Sequence, residues 1–185
     1  MRCSSGVRRV FAVFALLLLA AAARADNIEI KSAQVTLRED GYAVDADMEI
    51  ALTPTLEDIL NKGVALNFLL EFELIRPRWY WLNEKVIAQS QQYKLTYNTL
   101  TRQYRISLGT IYQNFETLGE ALRFISRPRN VPVAERATLQ AGTTYAASLR
   151  MRLDVSQLPR PFQISALGSR EWNMSSDWFR FPVTP

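Results

Sequence analysis

Apolar and polar residues alternate with a period of two through most of the chain after residue 26, and this pattern restricts the fold to half-buried β-strands. Ala33, Val35 and Leu37 alternate with Ser32, Gln34 and Thr36. Beyond Asp40-Gly41, Tyr42, Val44, Ala46, Met48 and Ile50 alternate with Asp45, Asp47 and Glu49. Asp-Gly signals a two-residue hairpin turn, whose central positions both need positive φ. Such a turn sets Glu39 opposite Tyr42, Leu37 opposite Val44, Val35 opposite Ala46 and Ala33 opposite Met48. All apolar side chains then share one face, and Asp45, Asp47 and Glu49 form a solvated row on the other.

The same reading continues to the C-terminus. Thr53-Pro54 opens a short helix with Leu56, Ile59 and Leu60 on its buried stripe and Gly63 at its end. Val64 to Leu74 is a long strand with Leu66, Phe68, Leu70, Phe72 and Leu74 inside. Val86–Tyr97 and Arg102–Leu108 form a second strand pair, with Tyr93, Leu95 and Tyr97 on the face of Tyr104, Ile106 and Leu108. Thr117 and Glu120 make a capping box for a second helix that buries Leu118, Ala121, Leu122 and Ile125. Tyr145 to Val155 alternates cleanly. Phe162, Ile164 and Ala166 begin a last strand, and the aromatic tail from Trp172 to Phe181 packs back onto the body.

Residues 1–25 have a different character. Arg2, Arg8 and Arg9 precede an apolar run from Val10 to Ala23 that ends in Ala23-Arg24-Ala25. A basic start, a short apolar middle and an A-x-A end form a cleaved secretory signal. The apolar run is shorter than the roughly 20 residues of a membrane-spanning helix. The expectation is a periplasmic protein, with residues 26–185 folding as one domain and membrane contact limited to the leader. Four of the 22 basic residues and none of the 18 acidic ones lie in residues 1–25, so 18 of each remain. A balanced chain offers no basic face for nucleic acid. The single cysteine, Cys3, leaves with the leader, and the chain has no histidine. The exported domain therefore enters an oxidising compartment without a disulfide and draws its stability from a core.

Long alternating strands, two short helices and no βαβ rhythm give a mainly β fold. The expected form is an antiparallel β-sandwich or strongly curved sheet, with a closed lipocalin-like barrel as the alternative. The segments GVALNFLLEFELIRPRWYWLNEKV (residues 63–86), KLTYNTLTRQYRISLG (94–109), YAASLRMRLDVSQLPRPFQISAL (145–167) and EWNMSSDWFRFP (171–182) carry a resemblance. The chain resembles a proteobacterial family of exported proteins classified as the domain of unknown function numbered four-three-nine-zero. The resemblance implies neither an activity nor a cofactor. It implies a genetic neighbourhood shared with a membrane sensor kinase, and hence a link to envelope signalling.

Without histidine or a retained cysteine, the Ser-His-Asp triad, the imidazole base and the thiolate metal site are excluded. No catalytic residue, metal site or cofactor is expected. Carboxylate chemistry survives as an option. Asp45, Asp47 and Glu49 are candidates for a hard-cation cage or half of a glycosidase pair, and Glu71, Glu73, Arg150, Arg152 and Asp154 are candidates for a cross-strand charge ladder. The candidate binding residues are Arg76, Arg78, Trp79, Tyr80 and Trp81. Three consecutive large aromatics on a strand point to both of its sides. With the indoles outside they form a platform beside two guanidinium groups, and with the indoles inside they anchor the core. Trp172, Trp178, Phe179 and Phe181 are read as a docking tail. The leading expectation is a non-catalytic exported module that binds another envelope protein. The alternatives are a carrier for a lipid, glycan or peptide, and a carboxylate-dependent glycan hydrolase.

Overall fold

A computed structural model describes residues 27–77, 84–167 and 169–185. The expected alternation becomes two antiparallel sheets. The smaller has the order β1 (Ile28–Leu37), β2 (Tyr42–Ile50), β7 (Val131–Ala134). The larger has the order β6 (Ile111–Phe115), β5 (Gln103–Leu108), β4 (Glu84–Asn98), β3 (Leu66–Arg76), β8 (Tyr145–Leu153), β9 (Phe179–Val183). The sheets are open and separate, so the fold is a sandwich and not a closed barrel. β1 lies near β8 and β9, while β7 lies near β4. One core joins them: Ile28, Val44, Ala46 and Met48 from the small sheet pack in a single cluster with Leu66, Phe68, Leu149 and Met151 from the large one.

The first hairpin departs from its expected register. Leu37, not Glu39, stands opposite Tyr42, so Val35 faces Val44 and Ala33 faces Ala46. The connection is a four-residue loop in which the Arg38 N–H donates to the Gly41 carbonyl at 2.7 Å. The shift is by two residues, so every side chain keeps its face. A contact remote in sequence sets the loop: a Cβ on Gly41 would lie 2.3 Å from the carbonyl oxygen of Ala134, just beyond the end of β7's pairing with β2. A bulge between Ile30 and Ser32 then resets the pairing to Ile30–Met48 and Ile28–Ile50.

Both expected helices form. α1 (Pro54–Asn61) is capped by Thr53, whose hydroxyl accepts from the Leu56 N–H and donates to the Glu171 carbonyl at 2.8 Å. α2 (Leu118–Ile125) starts at the Thr117–Glu120 capping box. A third helix, α3 (Arg160–Ala166), replaces the expected strand at Phe162–Ala166. Three apolar residues at spacing two are too few to fix the period. Pro161 suits a first helical turn, and Phe162 and Ala166, four apart, turn to the body together while Ile164 stays exposed. Phe162 packs on Trp172 with ring centroids 5.6 Å apart. The last strand is instead β9, formed by the tail itself. β6 and β7 carry no alternation in the sequence: one is almost wholly exposed, and the other contains Pro132, which an edge strand tolerates.

Tyr93 in β4 is buried, and burial pushes its hydroxyl up to about 12 from 10.0. Between those values only the unfolded chain is ionised, so stability falls as pH rises from roughly 10 to 12, by on the order of 2–3 kcal/mol. Below that window the group is neutral in both states and contributes no pH dependence. Urea midpoints measured at pH 8 and pH 11 should show the loss, and Tyr93→Phe should remove this part of it.

Candidate functional site

The large sheet breaks its own pattern on β4. In register with Leu74, Phe72, Leu70, Phe68 and Leu66 of β3 stand Ile87, Gln89, Gln91, Tyr93 and Leu95. All five β3 residues are buried, as are Ile87, Tyr93 and Leu95, but Gln89 is exposed and Gln91 only partly covered. Two glutamines therefore occupy inward positions where an apolar pair is the rule. The reason is topological. β5 pairs with β4 only over Lys94–Asn98, and then the chain turns at Gly109-Thr110 into β6. On the small sheet, β7 is only four residues long and pairs with β2 only near Tyr42–Val44. Neither sheet covers the inner face of β4 at Gln89 and Gln91.

The result is a cleft of about 410 Å³ between β7 and the β3–β4 ladder. Leu70, Phe72, Val131 and Val133 supply apolar lining, Gln89 and Gln91 supply amides, and Asp40 and Glu135 supply carboxylates. Both carboxylates are exposed, and among the described residues neither has an ion-pair partner. No cationic side chain is among the described residues that line the cleft.

On the opposite face of the sheet a shallower hollow of about 220 Å³ is lined by Glu71, Glu73, Ala88, Ser90, Arg150 and Trp178, among others. Here the expected charge ladder forms. Glu71 stands opposite Arg150 in register and accepts from its Nη2 at 2.6 Å and from Arg152 Nε at 3.0 Å. Arg152 also approaches Asp154 at 3.9 Å, and Glu73 pairs with Lys85 at 2.7 Å. The Arg150 guanidinium lies over Trp178, 4.4 Å from the ring centroid. Glu71 is the shared acceptor of two half-buried guanidinium groups, so Glu71→Gln is expected to cost roughly 2 kcal/mol. Thermal melts should show the loss, and an Arg152→Gln/Glu71→Gln cycle should give non-additive effects.

The other candidates resolve differently. Asp45 is buried, correcting the expectation of a fully solvated row. It accepts from the Asn130 N–H at 2.7 Å and from Arg38 at 3.2 Å. Asp47 pairs with Arg129 at 2.6 Å, and Glu49 with Lys31 at 3.4 Å. These residues pin loop 127–130 and β1 to β2, and each engages a cation. Among the described residues, no group of three or more acidic, histidine or cysteine side chains is placed to hold a metal ion. Arg76 ends β3 and donates to the Gln140 side chain, while Arg78, Trp79, Tyr80 and Trp81 lie outside the described residues. Trp172 is buried, in keeping with a docking tail, whereas Trp178 is half-exposed on the sheet face.

The cleft leaves one trace in the sequence, the pair Gln89 and Gln91, two apart on an otherwise apolar face. Nothing local indicates that Asp40 and Glu135, ninety-five positions apart, share its lining.

No curated protein and no solved structure matches the chain. The model of the DUF4390 family, a domain of unknown function, matches residues 25–182, a span that takes in both sheets and the whole cleft. The chain belongs to the DUF4390 family.

Proposed function

We propose that the chain is exported to the periplasm behind a cleaved leader, residues 1–25, and acts there as a non-catalytic module that binds another envelope protein. The observation that carries this reading is the cleft between β7 and β4, with an apolar floor beside a stretch of β4 whose outer edge, among the described residues, no strand pairs with. Binding through shape needs such a surface and no reactive group. The side chains favour contact over chemistry. Asp40 and Glu135 stand in water, and Asp45, Asp47, Glu71 and Glu73 are held by cations. Among the described residues no helix is long and apolar enough to cross a membrane. The neighbourhood implied by the family resemblance makes the exported part of a membrane sensor kinase the first partner to test.

The test uses a photo-crosslinking amino acid at Gln91 in the cleft and, as control, at Glu49 on the outer face of the small sheet. Expression in the native host should give one discrete envelope-protein adduct from position 91 and none from position 49. No adduct, or the same adducts from both positions, defeats the reading. Sequencing of the purified protein should place its N-terminus near Asp26, and an intact leader defeats the export part. The cleft volume, within the range of small-molecule sites, favours a second reading as a lipid, glycan or peptide carrier. Native mass spectrometry of protein purified from the periplasm would then show a retained small-molecule mass.

A further inference from the structure

The backbone beside the cleft specifies what kind of segment it takes. The Asp154 N–H donates to the Asn67 carbonyl at 2.7 Å, so Asn67 turns its backbone groups toward β8. In an antiparallel ladder the direction alternates, so Leu66, Phe68, Leu70 and Phe72 turn theirs toward β4 and bond with their partners there. Those partners include Gln89 and Gln91. The residues between them, Ala88, Ser90 and Gln92, therefore turn N–H and C=O the other way, to the side β5 has vacated. Among the described residues no strand pairs with that edge. One of its carbonyls, on Gln92, takes a hydrogen bond from the neighbouring Gln91 side chain at 3.2 Å.

Exposed edges are ordinarily blocked by a charge, a proline or a bulge. Positions 88–92 read Ala-Gln-Ser-Gln-Gln and carry neither a charge nor a proline. The ladder with β3 is regular there, its single irregularity lying at Leu74/Ile75. The edge also has a hollow on each side: the inner cleft and the outer depression both reach Gln89 and Ser90. A strand laid along this edge sends alternate side chains to opposite faces. One set meets Val131, Val133 and Phe72, and the other meets the Trp178 side. In the lining of the inner cleft, where β7 ends beside the β1–β2 loop, stand Asp40 and Glu135, two carboxylates with no ion-pair partner among the described residues.

We propose that the free edge of β4 at Ala88–Gln92 captures an extended segment of a partner protein as an added strand, in line with β5. The segment is apolar at alternate positions and carries a lysine or arginine at the end facing Asp40 and Glu135. This deepens the protein-binding reading and rests on it. The backbone supplies the affinity, the hollows the register, and the two carboxylates the direction in which the segment lies.

The experiment screens the full processed chain against a displayed library of ten-residue peptides and synthesises the selected binders. The expected binders alternate apolar residues and end in a basic one. On binding, hydrogen exchange should slow at the amides of Ala88, Ser90 and Gln92. Methylation of alternate peptide nitrogens should weaken binding about tenfold or more, since it removes the main-chain donors that face the edge. Ser90→Pro removes an outward N–H without touching the β3 ladder and should have the same effect at an unchanged melting temperature. The N-methylated peptide tests the same point on the unaltered protein, should the proline variant fold poorly. Asp40→Asn with Glu135→Gln should weaken the basic peptide several-fold at low salt and leave a Glu-terminated one unaffected. Binding that survives both N-methylation and Ser90→Pro, or a screen that yields no binder, overturns strand addition. A Gln91 adduct in cells would then still stand as evidence for a partner held by other contacts. A dimer of the chain that Ser90→Pro converts to monomer would assign the edge to a second copy and overturn the proposal equally.

Discussion

Alanine at position 41 is expected to destabilise the protein by roughly 3 kcal/mol, although it adds a single methyl group. Gly41 has φ 139°, a conformation L side chains rarely adopt, and its Cβ would lie 2.3 Å from the Ala134 carbonyl oxygen. Backbone cannot swing aside as a flexible side chain can, so the β1–β2 loop or the end of β7 must move. Gly142 is the internal control. It also has positive φ (73°), but its added Cβ would meet nothing within 4 Å. Gly142→Ala should therefore show only the conformational part, about 1 kcal/mol. Urea titrations of the two variants measure the difference, which isolates the close approach. Equal effects would mean that the loop does not sit under β7. Because Asp40 precedes Gly41 and Glu135 follows Ala134, Gly41→Ala should also loosen the carboxylate end of the cleft. Peptide binding there should weaken beyond what stability alone explains.

Phe68→Ala is expected to cost about 4 kcal/mol, the largest loss from any single truncation considered. Phe68 lies near the start of β3, opposite Tyr93 on one side and Leu153 on the other, and is fully buried. Its neighbours belong to regular ladders that cannot collapse into the space left behind, so the cavity persists. Against a typical domain stability of 5–15 kcal/mol, this lowers the melting temperature by about 10 °C. The m-value should stay constant, since the unfolded surface hardly changes. Leu100→Ser, in the exposed β4–β5 turn, should leave the transition within about 0.5 kcal/mol. A Phe68→Ala loss below about 2 kcal/mol would mean that the two sheets are not packed through this residue.

Strand addition at β4 and the stability of the sandwich are separable. The core residues that lock the sheets, such as Phe68, lie on the inner face, whereas the backbone groups of Ala88, Ser90 and Gln92 point out of the sheet edge. A partner can therefore occupy the edge without rearranging the core.

Alternation and capping in the sequence were enough to establish the strands β1 to β5 and β8 and the first two helices, and to offer Glu71, Arg150 and Arg152 as a ladder that forms once β3 and β8 pair. Each of these rests on neighbours within one strand or helix, or on a charge pattern repeated on two strands. Where only three residues recur at spacing two, as at Phe162–Ala166, the period is undetermined, and packing of Phe162 on Trp172 accompanies the helix that forms. The register of the first hairpin, the burial of Asp45, and the cleft with its open edge were decided by tertiary structure alone. In each case the deciding group is remote in sequence: Ala134 against Gly41, Asn130 against Asp45, β7 and the early turn of β5 around Gln89 and Gln91. Periodicity tells a side chain which face it occupies. What covers that face depends on where distant strands stop, because coverage is a property of the assembled sheets and is encoded by no single segment.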